Sequence, residues 1–128
     1  MTPDELKQRT KRFALNTMQL CDSLPPTRAG TIVANQLICC ATSVGANYRA
    51  ACRSRSDADF VSRIGVTLEE SDESVYWLEI IIESEMKSEQ QVSSLMKEGR
   101  ELVAIFTASH DTIRKKLHAR KRNLKSKI

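Results

Sequence analysis

Apolar side chains recur along this chain at helical spacing, in four stretches separated by short polar breaks. The first is Leu6, Phe13, Thr17 and Leu20, which fall on one stripe of a helix that ends at Leu24-Pro25-Pro26. Thr2-Pro3-Asp4-Glu5 opens it as a capping box, with Thr at N-cap, Pro at N1 and Glu at N3. Thr27 can cap a second helix whose stripe is Val33, Leu37, Cys40, Val44, Tyr48 and Ala51, broken by Arg53-Ser54-Arg55-Ser56. Ser56 then caps a third helix, with Asp59 at N3 beside its positive end and Phe60, Ile64, Leu68, Val75, Leu78 and Ile82 on one face. Ser88-Glu89-Gln90-Gln91 is another capping box, and Val92, Leu95, Gly99, Leu102, Phe106, Ile113 and Leu117 follow it at helical spacing. Long helices joined by short connections run antiparallel to their neighbours. The pattern predicts an all-α, antiparallel up-down four-helix bundle over residues 1–118, with a basic C-terminal tail over 119–128.

At 128 residues the chain suffices for one domain with a real core. Only three prolines and four glycines fit the helical reading. No apolar run is expected to reach the length of a membrane span, and MTPDELKQ is polar, so the expected compartment is the cytoplasm. Cys21, Cys39, Cys40 and Cys52 form no CxxC pair and read as reduced, structural thiols.

Within the second helix, Gln36, Ser43 and Asn47 flank one side of the core stripe, while Ala34, Ala41, Gly45 and Cys52 line the other. The small side lets a neighbouring backbone come close. On the polar side, Ser43 and Asn47 are expected to meet Thr67 and Glu70 of the third helix in an inter-helix hydrogen-bond mesh that fixes register. The alternative is that Ser43 and Asn47 face water at the edge of the stripe. Around YWLEIII the third helix is apolar in nearly every direction. A helix in a monomeric bundle keeps one face polar, so Tyr76, Trp77, Ile80 and Ile81 are expected to meet another copy of the chain. The alternative is a lone aromatic resting on the bundle surface.

The net charge of +4 conceals a split. The last fifteen residues hold eight cations and no anion; the remainder holds twelve basic against sixteen acidic residues. Up-down topology brings the start of the first helix, the turn between the second and third, and the end of the fourth to one pole. Lys7, Arg9, Lys11, Arg12, Arg49, Arg53, Arg55 and Arg63 join the basic tail there. A phosphate backbone is the commonest cellular target for such a surface, by counterion release without sequence reading. The candidate phosphate contacts are Arg53, Arg55, Arg114, Lys115, Lys116, Arg120, Lys121 and Arg122. The tail has no aromatic residue to stack on bases, which argues against reading a single strand. Only Leu117, Leu124 and Ile128 could anchor it in a membrane, so no membrane partner is expected. On the alternative reading the tail is a solubilising end.

Catalytic chemistry finds little to use. A di-iron bundle needs Glu-x-x-His pairs, and Glu70-x-x-Glu73 has no histidine partner. His110 lies on an apolar stripe and His118 in the basic tail, without zinc-ligand spacing. Ser109-His110-Asp111 are sequence neighbours whose side chains point apart on a helix. No glycine-rich phosphate loop is present. A non-enzymatic protein without metal, cofactor or small-molecule substrate is expected.

ATSVGANYRAAC, then S-x-x-DF at Ser56 to Phe60, then EESDESVYWLEI from Glu69 to Ile80, resemble the bacterial family named after 23S rRNA intervening sequences. The similarity runs from about Phe13 to Phe106 in the family's order and spacing. It implies an antiparallel four-helix bundle and a ring of five subunits. It also suggests a distant kinship to the basic accessory protein of diversity-generating retroelements, which binds nucleic acid and a reverse transcriptase. Family members often carry an acidic residue and Gly soon after the Asn, where this chain has Arg49-Ala50-Ala51-Cys52. The resemblance brings no established activity. The combined expectation is a homo-oligomeric accessory or scaffold that contacts RNA or DNA through a basic pole. The competing expectation is a protein–protein scaffold with no nucleic-acid role.

Overall fold

The computed structural model describes residues 1–127; Ile128 and the Lys127 side chain lie outside what is described. Four helices follow in order: α1 (Pro3–Asp22), α2 (Arg28–Ala51), α3 (Asp57–Glu83) and α4 (Glu89–Lys127). Each begins where a side chain takes up free backbone N–H groups. The Thr2 hydroxyl accepts from Glu5 N while Glu5 accepts from Thr2 N, and Thr27 and Ser56 accept from Gly30 and Asp59. Ser88 and Gln91 complete a second reciprocal box. At the far end of α3, Met86 N–H donates to Ile81 and Glu85 N–H to Ile82, which satisfies two orphan carbonyls. That closure puts Glu85 in the left-handed region at φ 61°, where glycine is usual.

Helices adjacent in sequence pack along their lengths, and α1 closes against α4. Cross-helix neighbours run in opposite directions. A methyl group built on Gly65 of α3 would lie 3.6 Å from His110 Nε2, and one on Gly99 of α4 would lie 3.1 Å from Val75 Cγ2. The fold is therefore the up-down bundle that the periodicity predicts. Phe13, Leu37, Val44, Ile64, Leu78, Ile81, Leu102 and Phe106 fill its centre, and the Tyr48 and Phe106 rings meet at 5.6 Å. On the small side of α2, a methyl on Gly45 would come 3.1 Å from the Thr10 hydroxyl, so α1 approaches closely there.

Three expectations need correction. The core line of α3 runs through Ile64, Thr67, Ser71, Ser74, Val75, Leu78 and Ile81, while Phe60, Leu68 and Ile82 are only part-buried. The mesh between α2 and α3 is not formed. Ser43 donates to Cys39 O, Asn47 to Ser43 O and Thr67 to Arg63 O, each within its own helix, and Gln36 is exposed. The carbonyl four residues back is always within reach, so a hydroxyl or amide needs no partner helix. Between these helices the Ser74 hydroxyl, which donates to Glu70 O, lies 3.3 Å from the Cys40 sulfur. Third, α2 contains an apolar window of mean hydropathy 1.3, long enough to cross a bilayer by length and composition. Its Val33, Leu37, Cys40, Ala41 and Val44 are instead core residues of the bundle.

The basic segment from residue 119 continues α4 to Lys127. Ala, Leu, Lys and Arg all propagate helix well, and cations near a C-terminus complement the helix dipole.

Candidate nucleic-acid interface

The pole at which α2 and α4 end and α1 and α3 begin is organised by one carboxylate. Asp57, the first residue of α3, accepts from Arg120 and lies 3.8 Å from Lys116 Nζ, both on α4. These pairs bring the turn carrying Arg53 and Arg55 beside the end of α4. Arg53 and Lys116 therefore sit at the same end of the molecule.

The eight candidate contacts divide into two groups. Lys116 and Arg120 bind Asp57, and Arg114 lies 3.6 Å from Asp111, so these three spend part of their charge inside the protein. Arg53, Arg55, Lys115, Lys121 and Arg122 are exposed, with no ion pair among the described residues. Lys115 and Arg122 are seven residues apart and share a helix face. Arg53 and Arg55 line a cleft of about 360 Å³ with Arg63, which Asp59 holds at 3.1 Å.

Arg9 leaves the basic set. Its guanidinium grips Glu98 through two bonds of 2.7 and 2.6 Å and also donates to Glu101. The Glu98 hydrogen bond, opposed by burial and assisted by both carboxylate charges, raises its pKa further. The fork ties α1 to α4. Sequence reasoning missed it because charge counting assigns residues to a pole and not to a partner across the bundle.

A second cleft, of about 620 Å³, opens at the same pole between the start of α1, the end of α2 and the start of α3. Lys7, Tyr48, Ser54, Arg55, Phe60 and Ile113 are among its walls. Burial first, and then a hydrogen bond with the Cys52 side chain, raise the Tyr48 pKa, so the phenol stays protonated. The Ser54 hydroxyl oxygen is buried without a hydrogen-bond partner. The aromatic residues absent from the basic segment thus reach the pole from α2 and α3.

The expected self-association surface also changes. Tyr76 is 52% exposed and meets the Trp77 ring edge-on at 5.0 Å. Trp77 and Ile80 are part-buried against the core, and Ile81 is fully buried. Ile81 is a core residue and leaves the interface set, because α3 turns its Ser71–Ser74–Ile81 edge inward. The Trp77 indole nitrogen is buried without a partner. Val66, on the same helix, is 40% exposed.

Of the cysteines, Cys39 and Cys52 are exposed and Cys21 and Cys40 buried. Burial, with the Asp22 charge second, pushes the Cys21 thiol up to about 12; burial pushes Cys40 up to about 11 against the Ser74 hydrogen bond. Both are inert packing groups at neutral pH. Glu70 is also raised, by burial and then by the charges of Glu73 and Glu69. Among the described residues no group of three or more His, Cys, Asp or Glu could hold a metal ion.

Residues 4–108 match the model of the 23S rRNA-intervening sequence protein family. The chain belongs to that family. A crystal structure of a protein of unknown function from the S23 ribosomal protein family of Bacteroides thetaiotaomicron VPI-5482 superposes with a TM-score of 0.76 at 28% identity. The match covers 81% of this chain and 96% of that one. No protein of curated function matches the chain. The family match ends at 108, so Arg114, Lys115, Lys116, Arg120, Lys121 and Arg122 lie beyond it, whereas Arg53 and Arg55 lie within it.

Proposed function

We propose that this 23S rRNA-intervening sequence family member is a non-enzymatic, cytoplasmic, homo-oligomeric accessory protein that holds RNA at its basic pole. The observation that carries this reading is the pairing of Asp57 with Lys116 and Arg120, which gathers cations from two distant chain segments at one end. Arg53, Arg55, Lys115, Lys121 and Arg122 then supply charge not already used inside the fold, and phosphates bind such charge by releasing counterions. The test is retention of a structured RNA across a salt series, with Lys121, Arg122 and Lys125 replaced together by Ala. Each lost phosphate contact makes the log–log salt slope shallower by about 1, so a change of about 2–3 is expected. Equal affinity and equal slope in the variant would reject the reading. Binding of a protein partner without RNA would select the second reading, a protein scaffold, which the exposed apolar face of α3 favours.

The same face supports self-association. Tyr76, Trp77 and Ile80 offer apolar area that a neighbouring copy can cover. Light scattering of the native chain should give a multiple of 14.4 kDa, five-fold for the ring that the family resemblance implies. Tyr76→Ser should shift it toward the single chain. A native monomer at micromolar concentration would remove the claim.

A further inference from the structure

The second cleft at the basic pole combines features that a solvated charge patch lacks. Its volume of about 620 Å³ falls within the range of small-molecule sites. Its walls carry two cations, Lys7 and Arg55; Lys7 Nζ lies 3.9 Å from Asp4, whose carboxylate is 95% exposed, and Arg55 has no ion pair among the described residues. The acidic wall residue Asp57 already pairs with Lys116 and Arg120. Two wall cations against a single carboxylate that is already neutralised select an anion. Phe60 and Ile113 line the same cleft, and Phe60 is only part-buried, which leaves ring surface for a flat apolar group.

We infer that this cleft binds a nucleoside phosphate unit, with the base against Phe60 and the phosphate between Lys7 and Arg55. The inference rests on the reading of the pole as a nucleic-acid surface and names the chemistry of one site on it. It also reverses the argument against single strands, because the stacking ring comes from α3 and not from the basic segment. A base inside a duplex cannot lie on Phe60, so the site should distinguish unpaired from paired nucleotides.

The experiment titrates the full chain with a 5′-phosphorylated oligouridylate, with uridine monophosphate and with a blunt RNA duplex. Native protein is compared with Phe60→Leu, Arg55→Ala and the Lys121/Arg122/Lys125 triple variant, each checked for an unchanged thermal melt. Phe60→Leu should weaken the single strand about tenfold and leave the duplex unchanged. Arg55→Ala should weaken the single strand as well, and its melt will be unaffected because the side chain is exposed. If the mononucleotide binds and Phe60→Leu abolishes that binding, the ligand is a free nucleotide; if only the oligonucleotide responds, it is a strand end or unpaired base. Equal single-strand affinity in native, Phe60→Leu and Arg55→Ala proteins overturns the inference. In that case a triple variant that still loses binding leaves the charged pole standing, whereas a triple variant that binds as native rejects both.

Discussion

Phe13→Ala is expected to lower the unfolding free energy by about 3–5 kcal/mol, the usual cost of emptying a large buried aromatic site. Phe13 is 1% exposed, and its ring lies where a methyl on Gly99 would meet it at 3.6 Å. It therefore fills the space between α1 and α4, the least extensive of the four helix pairings. Gly99 leaves that space open to the ring, and Ala at position 13 would leave it empty. A domain of this size holds about 5–15 kcal/mol in total, so the loss is a large share. Urea denaturation should show the midpoint falling with little change in slope. Leu15→Ala on the same helix is the control: its side chain is 44% exposed, and an effect within about 0.5 kcal/mol is expected. If both variants lose under 1 kcal/mol, α1 is not docked as described.

The starts of all four helices were legible because caps are local. Thr2, Thr27, Ser56 and Ser88 each accept a backbone N–H three residues on, and that geometry depends on nothing remote. The stripe of α2 was legible for a related reason: Val33, Leu37, Cys40, Val44, Tyr48 and Ala51 are apolar, and the flanks differ from them. On α3 the same reading finds Ile64, Val75 and Leu78 but misses the rest of the buried line. Apolar residues surround the helix near Trp77, so several stripes fit the spacing, and the inward one contains Thr67, Ser71 and Ser74. These hydroxyls donate to the carbonyls four residues back, of Arg63, Thr67 and Glu70, at 2.9, 2.8 and 2.8 Å, and then pack as small apolar groups. A polarity scale counts them as exposed; their local hydrogen bonds make them core.

The candidate site divides along a similar line. That Arg53 and Lys116 share an end follows from helix count and direction, which periodicity determines. Which cations remain free does not follow. Asp57 captures two, Asp111 one, and Glu98 with Glu101 capture Arg9, and each choice depends on side-chain reach across the finished bundle. The cleft was hidden for another reason. Phe60 is far from the basic segment in the sequence, and only the closing of α3 against α4 brings it to the same pole.

Gly30→Ala should destabilise the protein, although helix propensity alone argues the reverse. Gly30 has an ordinary helical backbone, and Ala in place of Gly inside a helix is worth about 1 kcal/mol in favour of folding. Contact decides the sign. A methyl at position 30 would sit 2.0 Å from the Pro25 carbonyl oxygen and 3.1 Å from its carbon, both backbone atoms. They cannot swing aside as a side-chain tip would, because Pro25 and Pro26 fix their own φ angles and Leu24 is anchored in the core. Relief requires moving the loop between α1 and α2, with loss of the Thr27 bond to Gly30 N–H at 3.1 Å. Overpacking of this kind costs about 1–3 kcal/mol or more, enough to exceed the propensity gain. Thermal unfolding should therefore begin at lower temperature in Gly30→Ala than in the native chain. A gain of about 1 kcal/mol would mean that the Pro25 carbonyl yields freely, and that glycine at this position is unnecessary for the turn.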